Sequence, residues 1–416
     1  MSGNSLKNFF LTIIVYFFLL VSNRAYSDSP ETQAYYADLF EEVCKIVEEN
    51  FYDPAKIENE FPQIKKKYSK DLVNVDSSLG FSLIINRMLE QLKTSHTYYL
   101  TPADYEYYHL SAIFSAIPVI STLFKDKEIT YPTIGIITEK IADKVFIVSV
   151  LSGSVALEAG LLRGDEIVSV NGKPFTAIKS IESSLGKNVE FEIKRSHQEK
   201  SQLFNIFPIA INPKKEMLEA EKSSIEIIEQ GGKKIGYIHI YSYAGIEYHQ
   251  ELLTAITWGK LKDADALIID LRYGLGGAST SYLNIFNPSI PILETIDRTG
   301  LKQKFDSQWR KPAVYLVNKT TRSGKELLAF GAKKYKLATV IGETTAGAAT
   351  AGRLFPLSNG DLIYLAVMGV KIDGTKLEGV GVVPDIIVPE DVRYSMGKDV
   401  QLEESVNHLV NKLQKN

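Results

Sequence analysis

Apolar residues recur at helical spacing twice near the start of the chain. Tyr36, Leu39, Phe40, Val43, Ile46 and Val47 do so from Glu31 to about Asn50, and Phe81, Ile84, Ile85, Met88 and Leu89 from about Ser78 to Leu92. The spacing predicts two amphipathic helices and a helical N-terminal domain over 28–115, ending at Leu92–Leu100 where a helix gives way to an extended segment. After residue 130 the pattern changes to short β-like runs, Ile134 to Ile137 and Val145 to Val150. A short helix, Val155 to Ala159, stops at Gly160, as a left-handed C-cap would require. The strand Glu166 to Val170 follows between tight turns at Gly164-Asp165 and Asn171-Gly172. From Lys234 onward strands alternate with helices: a strand from Ile235 to Ile240, a helix from Ile246 to Lys260, and a continuous apolar strand from Ala266 to Leu271 of the buried kind. A second buried run, Ala313 to Val317, precedes a helical pattern opening at Ser323, and a third strand covers Leu337 to Ile341. This alternation predicts a mixed α and β core over 206–395. An amphipathic helix from about Leu402 to Leu413 closes the chain in 396–416.

The first residues break this pattern. Lys7 precedes an apolar run from Phe9 to Val21, and Ala25-Tyr26-Ser27 then offers small residues at its first and third positions. That order predicts a secretory signal peptide over 1–27 and a protein exported to the periplasm or beyond the cell, with membrane association only if the segment is retained. The run is short for a transmembrane helix. Across its 416 residues the chain is 45% hydrophobic and 23% charged, the balance of an ordinary multidomain globular protein. Losing Lys7 and Arg24, and no acid, takes its net charge from −3 to −5. A chain so charged has no general attraction to nucleic acid. Cys44, the single cysteine, precludes an internal disulfide, and no Cys/His cluster has metal-ligand spacing, so neither metal nor cofactor is expected.

Candidate chemistry gathers in a few loops. Ser323 opens a helix just beyond a buried strand, where unpaired helix-start N–H groups can hold an oxyanion. It also suits a helix N-cap, with Glu326 completing a capping box. Leu271-Arg272-Tyr273-Gly274-Leu275-Gly276-Gly277 lets backbone N–H groups approach a ligand, and the absence of Gly-Lys-Ser/Thr argues against a phosphate loop. His96 lies where the helical domain ends, a position open to structural and catalytic roles alike. Glu378, in a turn-rich segment, reads as a solvated acid or as an active-site carboxylate.

Two sets of motifs resemble known families. The run A-G-L-x-x-G-D-x-I-x-x-V-N-G from Ala159 to Gly172 resembles a PDZ domain of the bacterial protease type, spanning 130–205. That resemblance implies a groove that binds a peptide C-terminus by strand addition, with the carboxylate-holding loop near Thr133, Ile134, Gly135 and Ile136. The alternative is a PDZ fold that only spaces two domains. D-L-R-x-x-x-G-G at Asp270 to Gly277, S-G-K-E at Ser323 to Glu326, G-E-T-T-A-G-A at Gly342 to Ala348 and E-G-x-G-V-x-P-D from Glu378 together resemble the tail-specific, C-terminal processing serine peptidases and their tricorn-like relatives. The implied architecture is α+β and multidomain, with a helical N-terminal domain, a sandwich-like PDZ domain and an α/β (ClpP/crotonase-like) peptidase core. The Ser–Lys branch of that family places its basic lysine where this chain has Ala348. The tricorn-like branch instead implies Ser323 as nucleophile, His96 as base, Ser95 and Glu378 as its supporting pair, and Gly276 and Gly324 as oxyanion donors. Lys325 departs from the small residue usual at its position and is a candidate to attract a substrate carboxylate. The implied function is hydrolysis of peptides or unfolded tails, with peptide or protein substrates as partners. The alternative is a catalytically inactive ligand- or peptide-binding protein on the same fold.

Overall fold

The computed structural model of the chain describes residues 30–415, and the expected signal segment over 1–27 lies outside the described residues. At the centre is a six-stranded sheet. Its order is Ile386–Ile387, Thr339–Gly342, Ala313–Val317, Ala266–Asp270, Lys233–His239 and Glu226–Gln230, parallel except for the last strand. The buried strands are apolar on both faces because both faces are covered. Leu267, Ile269, Tyr315 and Val317 pack with the helix Ile246–Thr257 and the helix Gly324–Lys334 on one side. Ile268, Val314 and Leu316 meet Val406, Leu409 and Val410 of the C-terminal helix Val400–Lys415 on the other. The C-terminal helix is therefore a layer of the core rather than an appendage. Arg272 locks it there, with its guanidinium held by both Asp270 and Asp399.

Residues 30–115 are not self-contained. The helices Pro30–Asn50 and Ser78–Glu90 bury Phe40, Val43, Cys44, Phe81 and Met88 as their spacing demands, but the same cluster includes Leu357, Ile363, Leu365 and Ala366 from the far end of the core. The strand Tyr98–Leu100 explains this, because it pairs antiparallel with Leu362–Met368, which pairs in turn with Ala351–Pro356. That three-stranded sheet is invisible to local periodicity, since its first strand lies more than 250 residues from the other two. It carries the segment holding His96 onto the core.

The strands Ile136–Ile141, Lys144–Val150, Glu166–Val170, Val189–Lys194 and Gln202–Ile206 form a separate antiparallel sheet with its own core around Ile147, Leu161, Phe191 and Ile193. Arg163 docks this unit on the core. Its side chain donates to Glu390 and, at 3.1 Å, to the Tyr273 hydroxyl, while Lys319 reaches Glu139 at 2.8 Å.

Candidate active site

Adjacent parallel strands of the central sheet deliver the motifs to one edge. Ala266–Asp270 runs into the Gly274–Gly277 loop, Ala313–Val317 into the turn before Ser323, and Thr339–Gly342 into the loop ending at Ala348. Loops at the carboxyl ends of parallel strands are where such sheets bind ligands.

Ser323 has φ +57° and ψ −133°, a backbone conformation that non-glycine residues rarely adopt. It occupies the N-cap of Gly324–Lys334. Glu326 accepts the Ser323 N–H at 3.1 Å, and its carboxylate also accepts from the Thr345 hydroxyl at 2.5 Å and from Gly347 and Ala348 N–H at 2.7 and 2.8 Å. Reading Glu326 as a cap partner thus captured one of its bonds and missed that it knots the serine turn to the 342–348 loop. The Ser323 N–H also donates to Ala348 O at 2.9 Å. Gly276 lies directly against the nucleophile candidate: a Cβ there would sit 2.5 Å from Ser323 Cβ and 2.9 Å from its Oγ. A Cβ at Gly324 would meet Ala278 N at 2.3 Å, so the two glycine segments touch. Neither the Gly276 nor the Gly324 N–H donates a hydrogen bond among the described residues, which leaves both able to receive an oxyanion.

His96 is buried, with Nδ1 3.0 Å from Ser95 Oγ and 3.2 Å from Thr350 Oγ1. Ser95 Oγ donates its one proton to Glu378 Oε2 at 2.8 Å, so its oxygen accepts from His96 Nδ1–H. That assigns the tautomer with an unprotonated Nε2, the form a general base requires. Burial and the Arg322 guanidinium hold the imidazole pKa down at about 4, against the opposing pull of Glu378 and Glu106. His96 stays neutral at any ordinary pH. Ser95, His96 and Glu378 are thus brought together, with Thr350 as a fourth member that no sequence motif had singled out. Ser323 joins them through Ala348, two residues from Thr350. No hydrogen bond links Ser323 to His96 in this state of the molecule.

Lys325 does not face a substrate. Its side chain is buried, and Nζ donates to the carbonyls of Tyr241 and Tyr273 at 3.1 and 2.8 Å. The lysine staples the base of the Gly274–Gly277 loop from beneath, because its helix begins at the serine and points that side of the turn into the core.

The groove of the antiparallel unit runs between Ile136–Ile141, an edge strand, and the helix Lys179–Glu182. It is a cavity of about 90 Å³ lined by Thr133, Ile134, Ile136, Phe175, Ile178 and Ile181, and walled outside the unit by Tyr105 and Tyr131. Gly135 does not line it. Its N–H is taken by Thr133 Oγ1 at 2.9 Å, and it faces a second cavity beside Ser154, because its left-handed backbone turns away from the groove.

Comparison with known proteins agrees with this architecture. Residues 234–388 match Peptidase family S41 and residues 146–195 match a PDZ domain. The chain is 27% identical over 282 residues to the carboxyl-terminal-processing protease of Synechocystis sp., covering 61% of this chain and 64% of that protein. It is 27% identical over 276 residues to the carboxy-terminal processing protease CtpB of Bacillus subtilis, covering 63% and 56%. These matches span less than two thirds of either relative's length. Among solved structures, the tricorn protease superposes with a TM-score of 0.55 at 17% identity over 92% of this chain and 37% of that one. The photosystem II D1 C-terminal processing protease gives 0.50 at 18% identity, over 88% and 98%. The two structures establish the fold, and the matches locate its parts: residues 234–388 carry the peptidase core of family S41 and residues 146–195 a PDZ domain.

Proposed function

We propose that the chain is a serine peptidase acting on peptides or unfolded tail segments through an acyl-enzyme. The observation that carries this reading is the Ser95–His96–Thr350–Glu378 network, which holds the imidazole in the tautomer of a base beside the segment that accepts the Ser323 N–H. His96 Nε2 takes the Ser323 proton as Oγ attacks the scissile carbonyl, and the Gly276 and Gly324 N–H groups receive the oxyanion. The imidazolium then protonates the leaving amine, and a water repeats the sequence on the acyl-enzyme. Closing the gap from Ser323 to His96 is left to substrate binding, in keeping with the looser catalytic contacts of unliganded enzymes. A fluorophosphonate probe tests the reading. It should label Ser323, and Ser323→Ala and His96→Ala should each lower turnover by about a thousandfold or more. Labelling elsewhere, or no hydrolysis of any unfolded chain, would favour the binding protein instead.

The PDZ groove is proposed to capture substrate C-termini, supported by its apolar lining and by the free edge of Ile136–Ile141. Export is proposed on the Lys7, Phe9–Val21 and Ala25–Ser27 order. N-terminal sequencing of the protein from its host should read from about Asp28, and a chain still beginning at Met1 refutes processing.

A further inference from the structure

Arg322 immediately precedes Ser323, and its guanidinium is not free. Nη2 is ion-paired with Glu106 Oε1, and Nε reaches Gly274 O at 3.4 Å. The other oxygen of Glu106 accepts the Tyr98 hydroxyl at 2.5 Å. Glu106 belongs to the helix Tyr105–Ile113 of the N-terminal part, and Tyr98 to the strand that follows His96. Tyr98 is edge-on to Tyr364, with centroids 5.5 Å apart, and Tyr364 is edge-on to His96 at 5.2 Å. The pair therefore spans the boundary that must be closed for a base from one part to serve a nucleophile from the other. It also sits within electrostatic range of the imidazole.

We propose that Glu106 and Arg322 are the positioning pair of this site: they clamp the segment bearing His96 onto the serine turn, and Glu106 neutralises the guanidinium that would otherwise oppose a proton on His96. The inference rests on the reading of His96 as the base. The charged and titratable groups around the imidazole are Glu378 from the turn-rich segment, Glu106 and His109 from the helix, Arg322 from the serine turn, and the phenols of Tyr98 and Tyr364 from the sheet. Of these, Arg322 is the cation. It opposes His96 protonation, while Glu106 and Glu378 favour it. In Glu106, burial works against ionisation, but Arg322 and the Tyr98 hydroxyl outweigh it and hold the carboxyl below its usual range. The anion is thus present whenever the base is needed.

A purely structural ion pair and this one make different demands on its two members. Losing either partner of a structural pair lowers stability and activity alike. Here the two neutral variants should move His96 in opposite directions. In the full-length protein, the His96 ring resonances are followed against pH by NMR with labelled histidine, assigned by their loss in His96→Gln, beside the acid limb of kcat/KM on an unfolded-chain substrate. Arg322→Gln should raise both midpoints, by about one to three pH units for removal of a close cation. Glu106→Gln should lower them and reduce kcat more than it raises KM. The double variant should return the His96 midpoint near that of the parent yet keep the loss of kcat, because the clamp is gone; it serves if either single variant fails to fold. Arg322→Lys, which keeps the cation, should leave the midpoint close to the parent value. Midpoints that move the same way in both single variants, or do not move in Arg322→Gln, overturn the proposal. If the His96 resonance moves while the acid limb of kcat/KM does not, the pair acts as stated and the base is another group.

Discussion

Glu378 and Ser95, 283 residues apart in the chain, are joined by two hydrogen bonds to one carboxylate: Oε1 accepts the Ser95 N–H at 2.7 Å and Oε2 accepts its hydroxyl at 2.8 Å. Oε2 also takes the N–H groups of Ala349 and Thr350, at 2.9 and 3.1 Å. A single acid thus fixes both segments that approach His96, and it also dictates the direction of the Ser95 hydroxyl.

Glu378→Gln should lower kcat by roughly 10- to 100-fold, the usual cost of an orienting partner, and so less than Ser323→Ala. An amide keeps one acceptor but turns an NH2 group toward donors that need a carboxylate. Steady-state kinetics on the two variants decide this, and a Gln variant as dead as the serine variant would give Glu378 a direct part in the chemistry.

Gly276→Ala places a methyl group on the serine. The added carbon would lie 2.5 Å from Ser323 Cβ, so the loop or Ser323 must shift. The expected result is a kcat lower by about a hundredfold or more, the scale of a lost oxyanion donor, with most of the fold intact. Parental kcat in that variant would remove Gly276 from the reacting centre.

Lys325 and Glu221 are a buried base and a buried acid within electrostatic range of each other, both displaced from their ordinary ranges. Burial pushes the lysine down to about 7, and burial pushes Glu221, whose oxygens have no hydrogen-bond partner, up to about 10. Between pH 7 and 10 the folded chain holds both neutral, while the unfolded chain holds a charged lysine and a charged glutamate. Folding therefore releases one proton and takes up another, and the two slopes of stability against pH cancel. Glu221→Gln leaves the lysine alone, whose unfolded form binds more protons, so stability should rise with pH in that window. Lys325→Met leaves the glutamate, whose folded form binds more, so stability should fall. Each slope is limited to about 1.4 kcal/mol per pH unit. Urea midpoints at pH 7 and 9 measure it, and slopes of the same sign would show that the two groups do not titrate as stated.

For the groove, an apolar C-terminal residue on a peptide should bind the Ser323→Ala chain more tightly than Asp at the same position, because the lining is mostly apolar and carries no cation to repay the lost hydration of a buried carboxylate. Fluorescence anisotropy on the two peptides reads this directly. Equal affinities would make the unit a spacer.

What the sequence determined by itself is local. Period-3.6 patterns placed the helices Pro30–Asn50 and Ser78–Glu90, and continuous apolar runs the strands Ala266–Asp270 and Ala313–Val317, within a residue or two of their observed ends, because in each the burial that forms the element is written in its own residues. Motifs named Ser323, His96, Ser95, Glu378 and Gly276, since each belongs to a short run with a recognisable composition. Tertiary structure decided the rest. Thr350 and Glu106 acquire their roles from partners more than 200 residues away, and nothing in their neighbours marks them. Lys325 looked like a charge available to substrate because exposure is not encoded in a residue's type. The helix geometry turns it inward, where its Nζ donates to two backbone carbonyls. The strand Tyr98–Leu100 is too short to declare itself, yet its pairing with Leu362–Met368 is what brings His96 to the core. Non-local pairing is set by the energy of the closed fold, and no window of sequence contains it.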